Sequence, residues 1–124
     1  MEGKSEMKAL SIKQPWAGMI LSCGKDVENR RRGTNYRGHL LIHASKKIDD
    51  LAARKFGLRE PSGTGEILGY VKLVDCTKVI TSEWHELGMV GWYFKNPIVF
   101  AKPIPWRGHL WLFDVPVDKL WELM

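Results

Sequence analysis

Apolar residues along the chain gather into short runs separated by glycine, proline or clusters of charge, and each run has the length of one strand or one short helix. Met7 to Ile12 reads as the first strand. After it Trp16, Met19 and Ile20 recur at helical spacing, which predicts a helix over residues 15–23 with one apolar side. Pro15 suits the opening of that helix, where its missing N–H is an orphan anyway, and Gly24 suits its end. Residues 38–44, Gly-His-Leu-Leu-Ile-His-Ala, are almost continuously apolar and predict a buried strand. Ser45 is the predicted cap of a helix from Lys46 to Phe56. Its Ile48, Leu51, Ala52 and Phe56 share a face, while Lys46, Lys47, Arg54 and Lys55 point to water and Gly57 stops it.

Further on, Glu66 to Cys76 is rich in β-formers and reads as the longest strand. Thr81 or Ser82 is placed to cap a short helix through Glu83, Trp84, His85, Glu86 and Leu87, ended by Gly88. Gly91 to Phe94 is a strand or turn of aromatics and Ile98 to Phe100 a strand, with Pro97, Pro103 and Pro105 confining the flanks to edges and turns. His109 to Val115 predicts the last long strand and Val117 to Met124 a closing helix. About six strands with short helices and no regular βαβ alternation predict an α+β fold, a small mostly-β, partly open barrel. Residues 1–6 read as a flexible tail and 7–124 as a single domain, as suits 124 residues, with the proline- and glycine-marked segment 58–65 as a mobile loop. The order aromatic-Arg-Gly-His-Leu occurs twice, at Tyr36 and at Trp106, and predicts a tight turn into a strand at both places.

Charge adds a bias toward anionic partners. Nineteen Lys and Arg against fourteen Asp and Glu give a formal net charge of +5 and a pI near 9.3, which favours nucleic acid or nucleotides, although a merely basic surface accounts for it equally well. Cys23 and Cys76 match no zinc spacing and read as small buried hydrophobes in a reducing compartment. The polar N-terminus and the lack of any eighteen-residue apolar run predict a soluble cytoplasmic protein with no membrane partner. His39, His43, His85 and His109 show no metal-ligand spacing, so neither metal nor cofactor is expected. With no nucleophile elbow and no phosphate loop, hydrolases built on those devices are excluded. No pattern sets an oligomeric state.

The chemistry-bearing residues concentrate between Ser11 and Gly38. Glu28 and Arg30, two apart, fall on one face of a strand, with Lys25 just before it. Such a group either holds a salt-bridged geometry or moves protons while its cations stabilise developing negative charge. The run Arg30-Arg31-Arg32, with Asn35, Tyr36 and Arg37 close behind, combines phosphate-binding guanidiniums with a stacking ring, a mix that suits single-stranded RNA or a nucleotide. Trp84, Trp111 and Trp121 fit core patterns, whereas Trp92, Tyr93 and Trp106 lie near turns where they can line a cleft. Trp16 either packs in the core or forms a stacking wall at the mouth of its helix.

Gly24-Lys25-Asp26-Val27-Glu28-Asn29-Arg30 resembles the G-x-K-x-x-E-x-R signature of the ASCH domain, a PUA-like family, with the lysine here directly after the glycine. Gln14-Pro15-Trp16-Ala17 before it resembles that family too. So do Tyr36-Arg37-Gly38, Leu40 to Ala44, Gly69-Tyr70-Val71, Trp92-Tyr93 and Pro105 to Gly108 after it, so the likeness spans nearly the whole chain. The resemblance implies a β-barrel with flanking helices and an RNA-binding cleft beside the motif. On that reading Lys25, Glu28 and Arg30 stand in the cleft with Trp16, Tyr36 and Trp92, and Arg31, Arg32 and Arg37 contact phosphates. It also implies an alternative, because some members are amidohydrolases of N4-acylated cytidine and others ribonucleases. Lys25 would then activate a water or a nucleophile and Glu28 transfer protons. Lys25 and Arg30 match the lysine and arginine of the amidohydrolases, and Glu28 stands where those carry threonine. A protein-interaction module with a structural ion pair is the third possibility.

Overall fold

Apolar side chains bury on both faces of one sheet, most completely along the strand that contains Leu40 to Ala44. The computed structural model describes residues 5–58 and 63–124. Its elements are β1 (Glu6–Gln14), α1 (Trp16–Ser22), β2 (Val27–Arg30), β3 (Gly38–Ile48), α2 (Asp50–Lys55), β4 (Glu66–Thr77), β5 (Val90–Pro105), β6 (Phe113–Pro116) and α3 (Val117–Leu123). The six strands form one mixed sheet in the order β2-β5-β4-β3-β1-β6. Among the described residues only β1 and β3 pair in parallel, and α1 and β2 lie in the crossover that a parallel pair requires. The sheet does not close, so the fold is α+β and mostly β, a partly open barrel.

Leu10, Ile12, Leu40, Ile42, Val71, Leu73, Trp92 and Phe94 face α1, whose Ala17, Ile20 and Leu21 complete that core. Ala9, Leu41, Ile67 and Ile104 face the other way, against Phe113, Val115 and Leu120. The continuous apolar run in β3 follows from burial on both faces. At Gly69 an added Cβ would lie 2.0 Å from the Ile98 carbonyl oxygen, so glycine is what lets β4 and β5 approach there.

Several sequence expectations are corrected. β3 continues to Ile48, because Gln14 pairs with Ile48 and the Asp49 N–H donates to the Gln14 carbonyl at 2.8 Å. Helix α2 therefore starts only at Asp50, and its cap is Asp49, whose carboxylate accepts from the Ala52 N–H at 3.1 Å. Ser45 instead donates to the Lys47 carbonyl at 3.2 Å. The buried residues of α2 are Ala52 and Ala53, while Leu51 is 79% exposed. Asp49→Ala is expected to lower stability by about 1 kcal/mol, the usual worth of an N-cap, in thermal melts where Ser45→Ala changes little. Equal losses from the two substitutions would contradict this assignment.

Residues 81–88 form turns rather than a helix. Asn29 takes the Glu86 N–H at 2.8 Å and donates to the Trp84 carbonyl at 2.9 Å, tying this backbone to β2. The strand or turn expected over 91–94 and the strand expected over 98–100 belong to the single sixteen-residue β5, which is longer than β4. Pro97, Pro103 and Pro105 sit past the stretch Val90–Tyr93 where β2 pairs with β5, so their missing N–H groups interrupt no ladder on that side. The expected strand over 109–115 is reduced to Phe113–Pro116, and residues 106–112 are irregular. Of the two aromatic-Arg-Gly-His copies, only the one at Gly38 (φ +128°) leads into a strand. Cys23 is exposed and Trp121 70% exposed, so neither is core, while Cys76 is half-buried and packs against the core. Glu6 pairs with Pro116, which shortens the expected tail. Residues 1–4, and 59–62 of the expected loop, lie outside the described residues. Among the described residues no helix is long and apolar enough to cross a membrane.

Candidate ligand cleft

The second half of β1, the start of α1, β2, the end of β3 and the segment Pro105–Leu110 surround a cleft of about 1170 Å³. Strand alternation puts Ser11 and Lys13 on its wall from β1, and Glu28 and Arg30 from β2. Lys13, Arg30, Arg31, Lys46, Lys47 and Arg107 all line it, and Glu28 is the one lining carboxylate among the described residues. Trp16 and Trp106 contribute aromatic walls. Trp16 is held in place by its indole N–H, which donates to Asp49 at 3.0 Å, and by an edge contact with Phe56 at 5.7 Å.

The turn at Gly24 (φ +72°) ends α1 and turns the chain toward β2. Lys25, only 4% exposed, donates to the Val27 carbonyl, and its ammonium lies over the Trp16 ring, 5.1 Å from the centroid. Glu28 stands between two cations, with Oε1 3.8 Å from Lys25 Nζ and Oε2 3.3 Å from Arg30 Nε. Arg30 also donates from Nη2 to the Ser11 carbonyl at 2.8 Å, which joins β2 to β1. Burial lowers the Lys25 pKa against the opposing pull of Glu28. Burial likewise raises that of Glu28, against Arg30 first and Lys25 second. Chemically, this is a desolvated carboxylate clamped by two cations, with Arg30 and Glu28 presented to the cleft.

The structure divides the residues singled out in the sequence. Trp16, Glu28, Arg30 and Arg31 line the cleft, whereas Lys25 lies behind them as the buried counter-charge of Glu28. Arg32 leaves the cleft and stacks over Trp111, 4.4 Å from its ring centroid. Arg37 is held by the carbonyls of Thr34 (2.6 Å) and Tyr36 (2.8 Å) and pairs with Asp75 at 3.6 Å, beside a separate hollow of about 430 Å³. Tyr36 packs against the core with its hydroxyl on the His39 carbonyl. Trp92 is completely buried, its indole N–H on the Arg32 carbonyl at 3.0 Å. Tyr93, also expected at a cleft, bonds His85 at 2.8 Å and the Thr81 N–H at 2.9 Å instead.

The sequence reading overlooked Lys13, Lys46, Lys47, Arg107, Ser11 and His43. Lys46 and Lys47 carried a basic signal, but assigning them to a helix turned them toward solvent; as part of β3 they reach the cleft.

The family model of the ASCH domain matches residues 10–104. The chain belongs to the ASCH domain family. The matched span runs from the second half of β1 through β4 and nearly all of β5, and with them takes in the Lys25–Glu28–Arg30 cluster of this ASCH domain. No curated protein matches the chain.

Proposed function

We propose that this ASCH domain binds single-stranded RNA or a nucleotide in the cleft between Trp16 and Trp106. The observation that carries this reading is the imbalance of its lining: among the described residues, six cationic side chains against one carboxylate, beside two indole rings. Lysine and arginine neutralise phosphates without regard to sequence, and an indole stacks any base. The volume of about 1170 Å³ exceeds that of an ordinary small-molecule pocket and suits a short nucleotide segment. The roles follow from position: Arg31, Lys46, Lys47 and Arg107 contact phosphates, Trp16 and Trp106 stack bases, and Glu28 with Lys25 holds Arg30 in orientation.

Binding of a short single-stranded RNA across a salt series tests this. Replacing Lys46, Lys47 and Arg107 together with alanine is expected to weaken binding at least tenfold. It should also flatten the slope of log K against log salt by about 2, at roughly 0.7 per phosphate contact on a single strand. Arg37→Ala, outside the cleft, should leave both unchanged. The reverse pattern places the ligand elsewhere. Hydrolysis through Lys25 draws support from its lowered pKa, but its burial and its bond to the Val27 carbonyl keep its amine from the cleft.

A further inference from the structure

Ser11 and His43 lie directly opposite each other where β1 and β3 pair in parallel. Ser11 Oγ is 2.9 Å from His43 Nδ1, and His43 Nε2 is 2.7 Å from the Trp106 carbonyl oxygen. A carbonyl oxygen can only accept, so Nε2 carries the imidazole proton and Nδ1 offers a lone pair. The Ser11 hydroxyl is therefore the donor to Nδ1. A hydroxyl, a base and a third group that fixes the base's tautomer are the three parts of an activated nucleophile, with a backbone carbonyl here as the orienting group. Burial lowers the His43 pKa and keeps the ring in its neutral, proton-accepting form.

The surroundings suit that role. Ser11 and His43 both belong to the wall of the cleft, and His43, only 1% exposed, is shielded from water. The His109 N–H donates to Ser11 Oγ at 3.2 Å, which orients the hydroxyl and leaves it a second lone pair. The Arg30 guanidinium is anchored on the Ser11 carbonyl. Gly108 is the residue that lets the 105–110 segment close over the pair, since a Cβ there would lie 2.8 Å from both Ser11 Oγ and His43 Cε1.

We propose that Ser11 and His43 form a nucleophile–base pair that hydrolyses carboxylic esters of anionic molecules admitted by the basic cleft. Ser11 Oγ attacks the ester carbonyl carbon as its proton passes to His43 Nδ1, and Arg30 is the cation available to the oxyanion. The ester C–O bond breaks, the leaving oxygen takes the proton from His43, and the acyl group stays on Ser11. Water then attacks the acyl carbon, gives a proton to His43, and releases the carboxylic acid as Ser11 Oγ takes that proton back. Esters rather than amides follow from the orienting group. A carbonyl dipole stabilises the imidazolium less than a carboxylate does, which restricts the pair to the more readily expelled ester oxygen, released as an alcohol once it has taken the proton from His43. The pair does not depend on RNA occupying the cleft, and its test uses none.

The test mixes purified protein with 4-nitrophenyl acetate, follows nitrophenolate release, and locates the acetyl group by peptide mass mapping. A burst with acetyl on Ser11 is expected in the wild type. His43→Gln should slow that acylation about 100-fold, the usual worth of a positioned general base, and Arg37→Ala should not change it. 4-Nitrophenyl succinate, which carries a carboxylate, should acylate faster than the acetate; a slower reaction overturns the anionic substrate class. Acetyl found only on lysines, or on Ser11 at a rate indifferent to His43→Gln, overturns the pair. The wild-type map decides even if Ser11→Ala does not fold.

Discussion

Trp92→Ala is expected to cost about 4 kcal/mol of folding stability, the largest loss from any single change considered for this chain. The ring is completely buried among the residues facing α1, meets Trp111 edge-on at 5.6 Å, and ties β5 to the Arg32 carbonyl. Alanine removes the apolar contacts, opens a cavity and deprives that carbonyl of its donor. For a domain of this size the melting temperature should fall by about 15 °C. Trp92→Phe should retain most of the packing, lose the hydrogen bond, and bind single-stranded RNA as the wild type does. Denaturant titration measures the first expectation and an affinity measurement the second. A cost below about 1 kcal/mol would place Trp92 outside the core. A loss of RNA affinity in a stably folded Trp92→Phe would return the residue to the ligand site, where the sequence reading had set it.

The second large effect concerns Glu28. Glu28→Gln removes the one charge that faces both Lys25 and Arg30 and leaves the Lys25 ammonium buried without its carboxylate. Breaking a buried pair from one side is strongly destabilising, and a loss of about 3 kcal/mol is expected at neutral pH. Its pH dependence is distinctive. In the variant the folded-state pKa of Lys25 lies still further below its ordinary value of 10.5. The folded state then binds fewer protons than the unfolded one in the interval up to 10.5, and stability rises with pH there. The deficit relative to the wild type should therefore shrink as pH climbs toward 10. Replacing both partners, Lys25→Met with Glu28→Leu, should recover most of the loss, because neither buried charge remains. Thermal melts of the three proteins between pH 7 and pH 10 check this. A deficit that stays constant with pH would show that the missing carboxylate, and not the stranded ammonium, is responsible.

The RNA reading separates from both effects. Arg31, Lys46, Lys47 and Arg107 line the cleft from three different stretches of chain, and none of them takes part in the Glu28 clamp. Their removal should alter affinity and salt dependence while leaving melting behaviour nearly unchanged, as exposed charges contribute little to stability.

Much of the fold was legible because it rests on local chemistry. Apolar runs of strand length marked β1 and β3, β-former content marked β4, the spacing of Trp16, Met19 and Ile20 marked α1, and Gly24 marked its end. Glu28 and Arg30 share a face because they are two residues apart on a strand, so the charge cluster could be read from spacing alone. The misreadings share one cause, bonds made to distant segments. Ser45 was read as a cap, but the Gln14 carbonyl extends β3 past it. Residues 83–87 have helical composition, but Asn29 holds their backbone groups.

The α+β strand-rich fold, the first helix with its glycine stop, and the grouping of Lys25, Glu28 and Arg30 are all consequences of side-chain periodicity and backbone preference over a few residues, and so follow from the chain read locally. Which basic residues share a cleft depends instead on how distant strands come together. Arg32 and Arg37 are neighbours of Arg31 in the chain, yet they stack on Trp111 and pair with Asp75, while Lys46, Lys47 and Arg107 arrive from β3 and the segment after β5. That assembly also makes Trp92 core and brings Ser11 to His43. Those outcomes depend on strand order and register across 30 to 100 residues of chain, which the local pattern of hydrophobic and polar positions does not encode.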